Sequence, residues 1–369
     1  MKNYFDIDSS NPIEVQTPMD SNQQEMLPAV EVDNRVIFVN SEIESPFKIE
    51  EGMSTELGVF FTPDPKNEKI KKIEVVKDHG RSGILGRVIF KDKQGRLYRD
   101  VDLKGIGYIF GEINEDNALE KMVVRPIQRI KGMQTRGIAD MSYVQNDLEM
   151  SEEFLNAGIR TYRIIAITEL KELVDASGNK IPVDNARKQH IIKKNDKPVI
   201  EIRAFGVRTR IGDLMSLSKL EKESLIEDAM KWVVQEQNND IKDFSKQNYF
   251  NWFIECMAIN FARMQHKGWV HGYLTDNNIT LDARIIDLDS VDTIEGIEKQ
   301  RILGEIQTKS FEKDFQNVLM FSSYLKGALG LMEENIAVID YIDGNTKEKI
   351  MKVYAEETER LEKNKDFNI

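Results

Sequence analysis

The residues that could do chemistry are concentrated in one stretch, from Trp269 to Asp289. This stretch follows a helix that we expect to end near Lys267, and it continues as a polar loop, a short strand and an apolar trio that closes on Asp287. Asn278 and Asp287 would therefore lie at opposite ends of one hairpin and could converge. An amide oxygen and a carboxylate are hard ligands of the kind that Mg²⁺ takes while it bridges phosphates. The Asp-Asn-Asn run is also typical of a plain turn, and that alternative stays open.

The order of the parts upstream favours the magnesium interpretation. A β-hairpin is expected over Val88–Leu103, and it places Lys104 at the end of a strand. An acidic helix follows, and then the His271-Gly272 loop and Asp287. Strand lysine, helix acid, loop asparagine and metal aspartate occur in this order in protein kinases. Tyr273, however, occupies the place of the aspartate that accepts the substrate proton, and a phenol ionises only near about pH 10, so ordinary kinase chemistry is not expected.

The elements that must position these residues predict an α+β protein. Short apolar runs bounded by glycines and charged turns indicate strands in the first half, with one helix over 140–157. After Gly212 the pattern becomes helical, over 218–237, 246–267, 310–334 and 346–363. We expect a bilobal, protein-kinase-like fold with a nucleotide cleft between a β-rich N-lobe and a helical C-lobe. The expected divisions are an N-terminal arm over 1–69, partly extended, an N-lobe over 70–212 and a C-lobe over 213–369.

Composition limits the function classes. The 369 residues include 51 basic and 63 acidic side chains, a net charge of −12, which disfavours binding to nucleic acid through the overall field. Cys256 is the one cysteine, so no internal disulfide can form, and a reducing compartment is expected. There is no apolar run of the length that a membrane span needs and no apolar segment after Lys2. We therefore expect a cytoplasmic protein without membrane insertion, and export as an effector is left open.

Five segments, in the same order, resemble the selenoprotein O family, a pseudokinase family of protein adenylyltransferases (AMPylators). These segments are Asp78-His79-Gly80-Arg81 with Gly86, Asp102 to Gly107, Gly158 to Arg163, Arg203 with Arg210, and Ala262-Arg263-Met264-Gln265 to His271-Gly272. The interval from Asn278 to Asp287 also agrees with the family. The resemblance runs from about residue 76 to about residue 330, and the chain is similar to a divergent, shortened member.

The resemblance implies a flipped ATP bound with Mg²⁺. The γ-phosphate would be buried by the arginine pair, and the α-phosphate would face a Ser, Thr or Tyr hydroxyl of a protein substrate. The product would be AMP on that hydroxyl, with pyrophosphate leaving. The implied nucleotide-binding residues are Gly80, Arg81, Lys104, Gly137, Arg203, Arg210 and Asp287. The implied metal ligands are Asn278 and Asp287, and the implied catalytic residues are Asp276, Lys104 and Asp147.

Three positions depart from the family pattern. Asn277 stands where the family has the aspartate before the metal asparagine, so either Asp276 serves as the base or the base is lost. Asp78 replaces the first glycine of the nucleotide loop, and its carboxylate would repel phosphates. The helix acid expected to pair with the strand lysine falls at Asp147, where the family has Glu, and Glu149 remains a rival.

Two alternatives follow from the same residues. Arg203 and Arg210 are seven apart, which on one strand would put them on opposite faces, so they converge on a phosphate only if the chain turns near Gly206. Otherwise they mark a basic strand edge. At the level of function, the alternatives to AMP transfer are a catalytically inactive pseudokinase that binds nucleotide or a partner protein, and another kinase-like transfer such as glutamylation or phosphorylation.

Overall fold

The computed structural model describes residues 13–14, 24–63, 70–76, 80–113, 119–131, 133–215, 217–237, 244–302, 309–332 and 342–365. These residues form two compact units. The first, here called the β unit, comprises the described residues up to Leu148 and from Arg163 to Gly206. The second, the helical unit, comprises Glu149–Tyr162 and the described residues from Val207 onward. One unit is rich in strands and the other in helices, so the α+β prediction is confirmed.

The β unit contains fourteen strands within its described residues. They are β1 (Ile13–Glu14), β2 (Gln24–Glu31), β3 (Asn34–Val39), β4 (Val59–Phe61), β5 (Ile70–Val76), β6 (Ser82–Lys91), β7 (Leu97–Lys104), β8 (Tyr108–Ile113), β9 (Leu119–Arg125), β10 (Ala139–Asp140), β11 (Arg163–Leu170), β12 (Glu172–Val174), β13 (Lys180–Pro182) and β14 (Pro198–Phe205). Two helices accompany them, α1 (Met141–Asn156), whose last turns belong to the helical unit, and α2 (Val183–Lys188).

Ten of these strands form one antiparallel sheet. Its path is β3-β11-β14-β7-β6-β5-β2-β4, with β1 beside β6 and β10 beside β14. The predicted hairpin is confirmed as β6 and β7, and Gly95 takes a φ of +81° in its turn. Between β14 and β7, Glu201 lies opposite Lys104 and Arg203 lies opposite Asp102. Because side chains alternate along a strand, this register places all four charged side chains on one face of the sheet.

The first part of the chain differs from the expected arm. Within 24–61, three segments are strands of the large sheet, in which β2 pairs with β5 and β4, and β3 pairs with β11. Ala29, Val36 and Val59 are fully buried there. Pro28 within β2 weakens the strand pattern, because proline cannot donate to a ladder, and the pairing partners lie far along the chain.

The helical unit is built around a long central helix. Its elements are α3 (Lys219–Glu236), α4 (Lys246–His266), α5 (Ile294–Ile302), α6 (Phe311–Ala328), α7 (Gly344–Lys365), β15 (Trp269–Val270) and β16 (Asp292–Thr293). Helix α4 packs against α3, α6 and α7, and its apolar stripe, which includes Phe253 and Met257, is buried. Ser218 and Glu221 form a capping box at the start of α3. No described helix offers an apolar stretch of the length that a bilayer crossing needs.

The border between the units lies before the expected one. The expected N-lobe ended at residue 212, whereas the β unit ends at Gly206. Segment 209–211 runs antiparallel to 279–281 in the helical unit, since the Ile211 amide donates to the Ile279 carbonyl at 3.0 Å. Gly158, which lies just after α1, takes a left-handed φ of +73°, as is typical of a residue that ends a helix. The predicted end of the helix over 310–334 falls at residues 333 and 334, which lie outside the described residues.

Candidate functional site

Lys104 forms a buried ion pair at the end of β7. Its Nζ lies 3.0 Å from Asp147 Oδ2 on α1 and 3.6 Å from Glu201 Oε2 on β14. All three side chains are buried. The predicted pairing of Lys104 with Asp147 is confirmed, and the structure selects Asp147 over the rival Glu149. The strand lysine and the helix acid are thus joined as in a protein kinase.

Sequence reasoning missed Glu201. Its side chain is completely buried. Burial, with the added effect of the nearby Asp147 charge, raises the pKa of Glu201 to about 8. The available signal was an acid in the middle of an apolar strand, but its partner Lys104 lies 97 positions away on another strand and could not be assigned from spacing.

Arg203 is engaged within the β unit. Its Nε and Nη2 donate to the two carboxylate oxygens of Asp102 at 2.9 and 2.8 Å, a bidentate pair with both side chains buried. The guanidinium also lies 5.2 Å from the ring centre of Phe205. The predicted contact of Arg203 with a phosphate stays a prediction, and it would bring the phosphate into competition with a carboxylate.

Gly80 and Arg81 lie next to the end of β7. The Arg81 carbonyl accepts a hydrogen bond from the Gly105 amide at 2.8 Å, and the Gly80 carbonyl accepts one from the Ile109 amide at 3.0 Å. The Arg81 guanidinium donates to Gln134 Oε1 at 2.8 Å. These contacts place both residues near Lys104, while their predicted role toward a nucleotide is untested. The preceding Asp78 and His79 lie outside the described residues.

Gly137 has a backbone role. Its φ is +95°, and a Cβ at this position would lie 2.7 Å from the Cβ of Tyr108. The Gly137 carbonyl accepts a hydrogen bond from the Gly107 amide at 2.9 Å. A glycine is therefore required by the left-handed backbone and by the close approach of Tyr108. Its predicted contact with a nucleotide stays a prediction.

Asn278 and Asp287 lie side by side at the open end of a small hairpin in the helical unit. Ile279 bridges Ile285, and the Ile286 amide donates to the Asn278 carbonyl at 3.0 Å. The convergence that the sequence predicted is therefore confirmed for the backbone. Asp287 takes a left-handed conformation, with φ +63° and ψ +52°, which is uncommon outside glycine and is often found at functional sites.

The donor set of this hairpin fits Mg²⁺. Asn278 Nδ2 donates to the Tyr273 carbonyl at 2.7 Å, which fixes the amide and leaves Oδ1 as its ligand atom. With the Asp287 carboxylate, the chain offers two hard oxygens, and Mg²⁺ commonly adds waters and substrate phosphates to such a pair. Within the described part of the chain, no three His, Cys, Asp or Glu side chains group closely enough to form a metal site by themselves.

Two further side chains hold the loop that precedes Asn278. Buried His271 bonds through Nε2 to the Ile286 carbonyl at 2.8 Å, so Nε2 carries the hydrogen. Asp314 on α6 accepts from the amides of Gly272 and Leu274 at 2.8 and 3.3 Å. Sequence reasoning missed Asp314, because an aspartate in the first turn of a helix ordinarily interacts with that helix's own N-terminus.

Asp276 and Arg210 belong to the same part of the helical unit. Arg210 bridges Thr280 across the short antiparallel pairing. A Cβ on Gly212 would lie 2.8 Å from Asp276 Oδ2 and 2.7 Å from Asn277 Oδ1, so both side chains cover this glycine. The helical unit therefore brings together Arg210, Asp276, Asn278 and Asp287. Arg203 belongs to the other unit, and its convergence with Arg210 stays a prediction.

Comparison with known proteins finds solved structures that are similar to this chain with low TM-scores. No family model and no curated protein matches the chain. A solved structure of a rhoptry antigen kinase domain specific to Toxoplasma gondii is similar at 8% identity, covering 82% of this chain and 85% of that chain with a TM-score of 0.36. ROP2 from Toxoplasma gondii, described as a virulence factor with a protein-kinase fold and no enzymatic activity, is similar at 9% identity, with coverages of 82% and 86% and a TM-score of 0.34.

One of these structures is of a kinase domain and the other is of a protein with a protein-kinase fold, and the resemblance to selenoprotein O stays a prediction. The support for a kinase-like arrangement lies in the chain's own residues. These are the strand lysine paired with a helix acid in the β unit, and the asparagine and aspartate joined by one hairpin in the helical unit.

Proposed function

We propose that this chain is a kinase-like protein that binds Mg-ATP and transfers AMP to Ser, Thr or Tyr hydroxyls of a protein substrate. The observation that carries the proposal is the buried pair of Lys104 and Asp147. In protein kinases the strand lysine holds the nucleotide phosphates, and the helix acid holds the lysine. In this chain, Lys104 is likewise on a strand, and Asp147 on the following helix holds its side chain in place.

Each site residue has a separate role in this proposal. Lys104 binds a phosphate oxygen, and Asn278 and Asp287 hold the magnesium ion, which neutralises phosphate charge when bound. Asp276 accepts the proton of the attacking hydroxyl, since it is the carboxylate next to the family's base position. The hydroxyl oxygen bonds to the α-phosphorus, the bond from that phosphorus to the bridging oxygen breaks, and pyrophosphate leaves.

Three considerations favour AMP transfer over phosphoryl transfer. Tyr273 occupies the position at which a kinase has the aspartate for the substrate proton, and its side chain is about half exposed. Arg210 beside the loop adds a cation that can bind the phosphates that leave. The resemblance to the adenylyltransferase family also implies that AMP is the group transferred.

A catalytically inactive pseudokinase is the second candidate. The observation in its favour is the bidentate pair of Arg203 with Asp102, because this pairing already neutralises one of the two arginines that the flipped nucleotide needs. Asn277 at the family's base position also favours an inactive protein, because an amide cannot accept the substrate proton as a carboxylate does. Such a protein would bind a nucleotide or a partner protein without transferring a group.

ATP carrying the radioactive label on either the α- or the γ-phosphate separates these functions. The labelled ATP is incubated with Mg²⁺ and with the chain, which itself serves as the protein acceptor. AMP transfer leaves the α-label on the protein, and phosphorylation leaves the γ-label. Nucleotide binding without either label supports the pseudokinase, and uptake of labelled glutamate would indicate glutamylation. Lys104→Ala and Asp287→Ala should abolish the signal, whereas Lys93→Ala, at an exposed position in the turn between β6 and β7, should not. Labelling that survives both site variants would overturn the site assignment.

A further inference from the structure

Five ionisable side chains are buried together in the β unit. Asp102 and Lys104 are two positions apart on β7, and Glu201 and Arg203 are two positions apart on β14, so all four lie on the same face of the sheet. Asp147 on α1 contacts Lys104. The exposed fraction of each is below a twentieth of its surface. This cluster, here called the charge row, contains the lysine on which nucleotide binding is proposed to depend.

The charges of the row do not balance when every group is ionised. Lys104 and Arg203 give two positive charges, and Asp102, Asp147 and Glu201 give three negative ones. The charge of Asp102 is neutralised by its bidentate pair with Arg203. Lys104 therefore faces two carboxyl groups, those of Asp147 and Glu201. An uncompensated buried charge is costly, and a carboxyl group in that position ordinarily takes up a proton.

The geometry selects Glu201 as the group that carries the proton. Asp147 lies at 3.0 Å from Lys104 Nζ, whereas Glu201 lies at 3.6 Å, beyond hydrogen-bond distance. As a carboxylate, Glu201 would accept no hydrogen bond from any described residue, although both its oxygens are buried. The residue opposite it on β11 is Ile167, which offers no charge. A protonated Glu201 can instead donate to Asp147.

We propose that Glu201 is protonated in the folded protein and acts as a positioning residue, which donates a hydrogen bond to Asp147 and so fixes that carboxylate against Lys104. With Glu201 neutral, Lys104 has one charged partner and keeps its attraction for an anionic ligand. When Glu201 ionises, a second negative charge appears beside Lys104. The raised pKa of Glu201 supports this assignment and places the change near pH 8.

The protonation can be measured directly on the full chain. Glutamate labelled with ¹³C at the side-chain carboxyl gives NMR signals that shift as each group titrates. We expect one signal of the folded protein to titrate near pH 8, and that signal should be missing in Glu201→Gln. The matched control is Glu169→Gln, on the neighbouring strand β11 and partly exposed, in which the signal near pH 8 should persist.

A wild-type spectrum in which every glutamate carboxyl is already ionised by about pH 6 would overturn the proposal. This outcome needs no variant, so it holds even if Glu201→Gln does not fold. A signal near pH 8 that persists in a folded Glu201→Gln protein would equally overturn it.

The positioning role has its own readout and rests on the proposed function. The affinity for a non-hydrolysable ATP analogue with Mg²⁺ should fall several-fold for the wild type between about pH 7 and about pH 9, and less for Glu201→Gln, which stays neutral. Equal pH profiles for the two proteins would remove the positioning role. If neither protein binds the analogue at any pH, nucleotide binding fails as a function, while the NMR titration still decides the protonation of Glu201.

Discussion

At the scale of single residues, the Lys104–Asp147 pair gives a direct test of stability. Asp147→Asn keeps the shape of the side chain and removes its charge. Breaking a buried pair costs about 3–5 kcal/mol, and we expect a loss near the lower end, about 3 kcal/mol, because Glu201 can ionise and replace the charge. Urea unfolding monitored on the β unit measures the loss.

The control for this change is the rival acid of the same helix. Glu149 is exposed, and Glu149→Gln should change the free energy of unfolding by less than about 0.5 kcal/mol. In Asp147→Asn, the pKa of Glu201 should also fall, because the neighbouring like charge that helps to raise it is gone. An unchanged Glu201 titration would show that the two carboxyl groups do not interact.

Gly212 tests the position of Asp276. In Gly212→Ala, the new Cβ would meet the side-chain oxygens of Asp276 and Asn277 at distances below contact. These are the ends of short side chains that can turn away, so the fold should persist with a loss of at most about 1 kcal/mol, while the rate of AMP transfer should fall at least tenfold. Gly344→Ala, where a Cβ meets nothing within 4 Å, should leave the rate unchanged. A full rate in Gly212→Ala would argue against Asp276 as the base.

The residues that sequence reasoning found and those it missed differ in one physical respect. Asn278 and Asp287 are joined by a local hairpin, and the distance along the chain is short enough for spacing to predict their approach. Glu201 and Asp314 act on partners that lie 97 and at least 40 positions away. Only the register of a sheet or the packing of a helix brings such residues together, and neither can be obtained from periodicity.

At the scale of elements, the loop from His271 to Leu274 depends on α6. Asp314→Ala removes the acceptor of two buried amides, and each amide left without a partner costs about 1–3 kcal/mol. We expect hydrogen exchange at the Gly272 and Leu274 amides to accelerate by at least tenfold. Glu312→Ala, in the same first turn of α6 but exposed, is the matched control and should leave both amides protected. Unchanged protection in Asp314→Ala would mean that α6 does not hold the loop.

The bounds of the helices were predicted more closely than those of the strands, because the residues that cap a helix lie at its ends. Ser218, Ser245 and Ser310 each accept from a backbone amide in the first turn of the helix that follows, and Gly158 ends α1 in a left-handed conformation. These signals lie within a few residues of the boundary they set. The strands within 24–61 have no such local signal, because their stability comes from pairing with β5 and β11 far along the chain.

At the scale of the whole molecule, the sequence could predict two compact units but not their border. The border is decided by where segment 209–211 pairs, and its partner 279–281 lies about seventy residues later. Lys104 and Arg203 belong to one unit, and Arg210, Asn278 and Asp287 belong to the other. The proposed enzyme therefore requires both units to contact the same nucleotide.

This requirement can be tested by a double-mutant cycle on ligand affinity. Lys104→Ala and Asp287→Asn should each weaken the binding of a non-hydrolysable ATP analogue with Mg²⁺ by at least tenfold, or about 1.4 kcal/mol, measured by calorimetry. If both groups contact one Mg-triphosphate, the loss in the double variant should differ from the sum of the single losses by about 0.5–3 kcal/mol. Two groups that do not share the ligand would give losses that add.

The control cycle pairs Lys104→Ala with Lys363→Ala, a change in an exposed ion pair on α7. It should be additive within about 0.5 kcal/mol, because Lys363 lies on a solvated face of the helical unit. Coupling between Lys104 and Asp287 together with additivity in the control would place the two site residues on one ligand. Additivity in both cycles would mean that the lysine of the β unit and the aspartate of the helical unit serve separate purposes, and a shared magnesium-nucleotide site would then have to be abandoned.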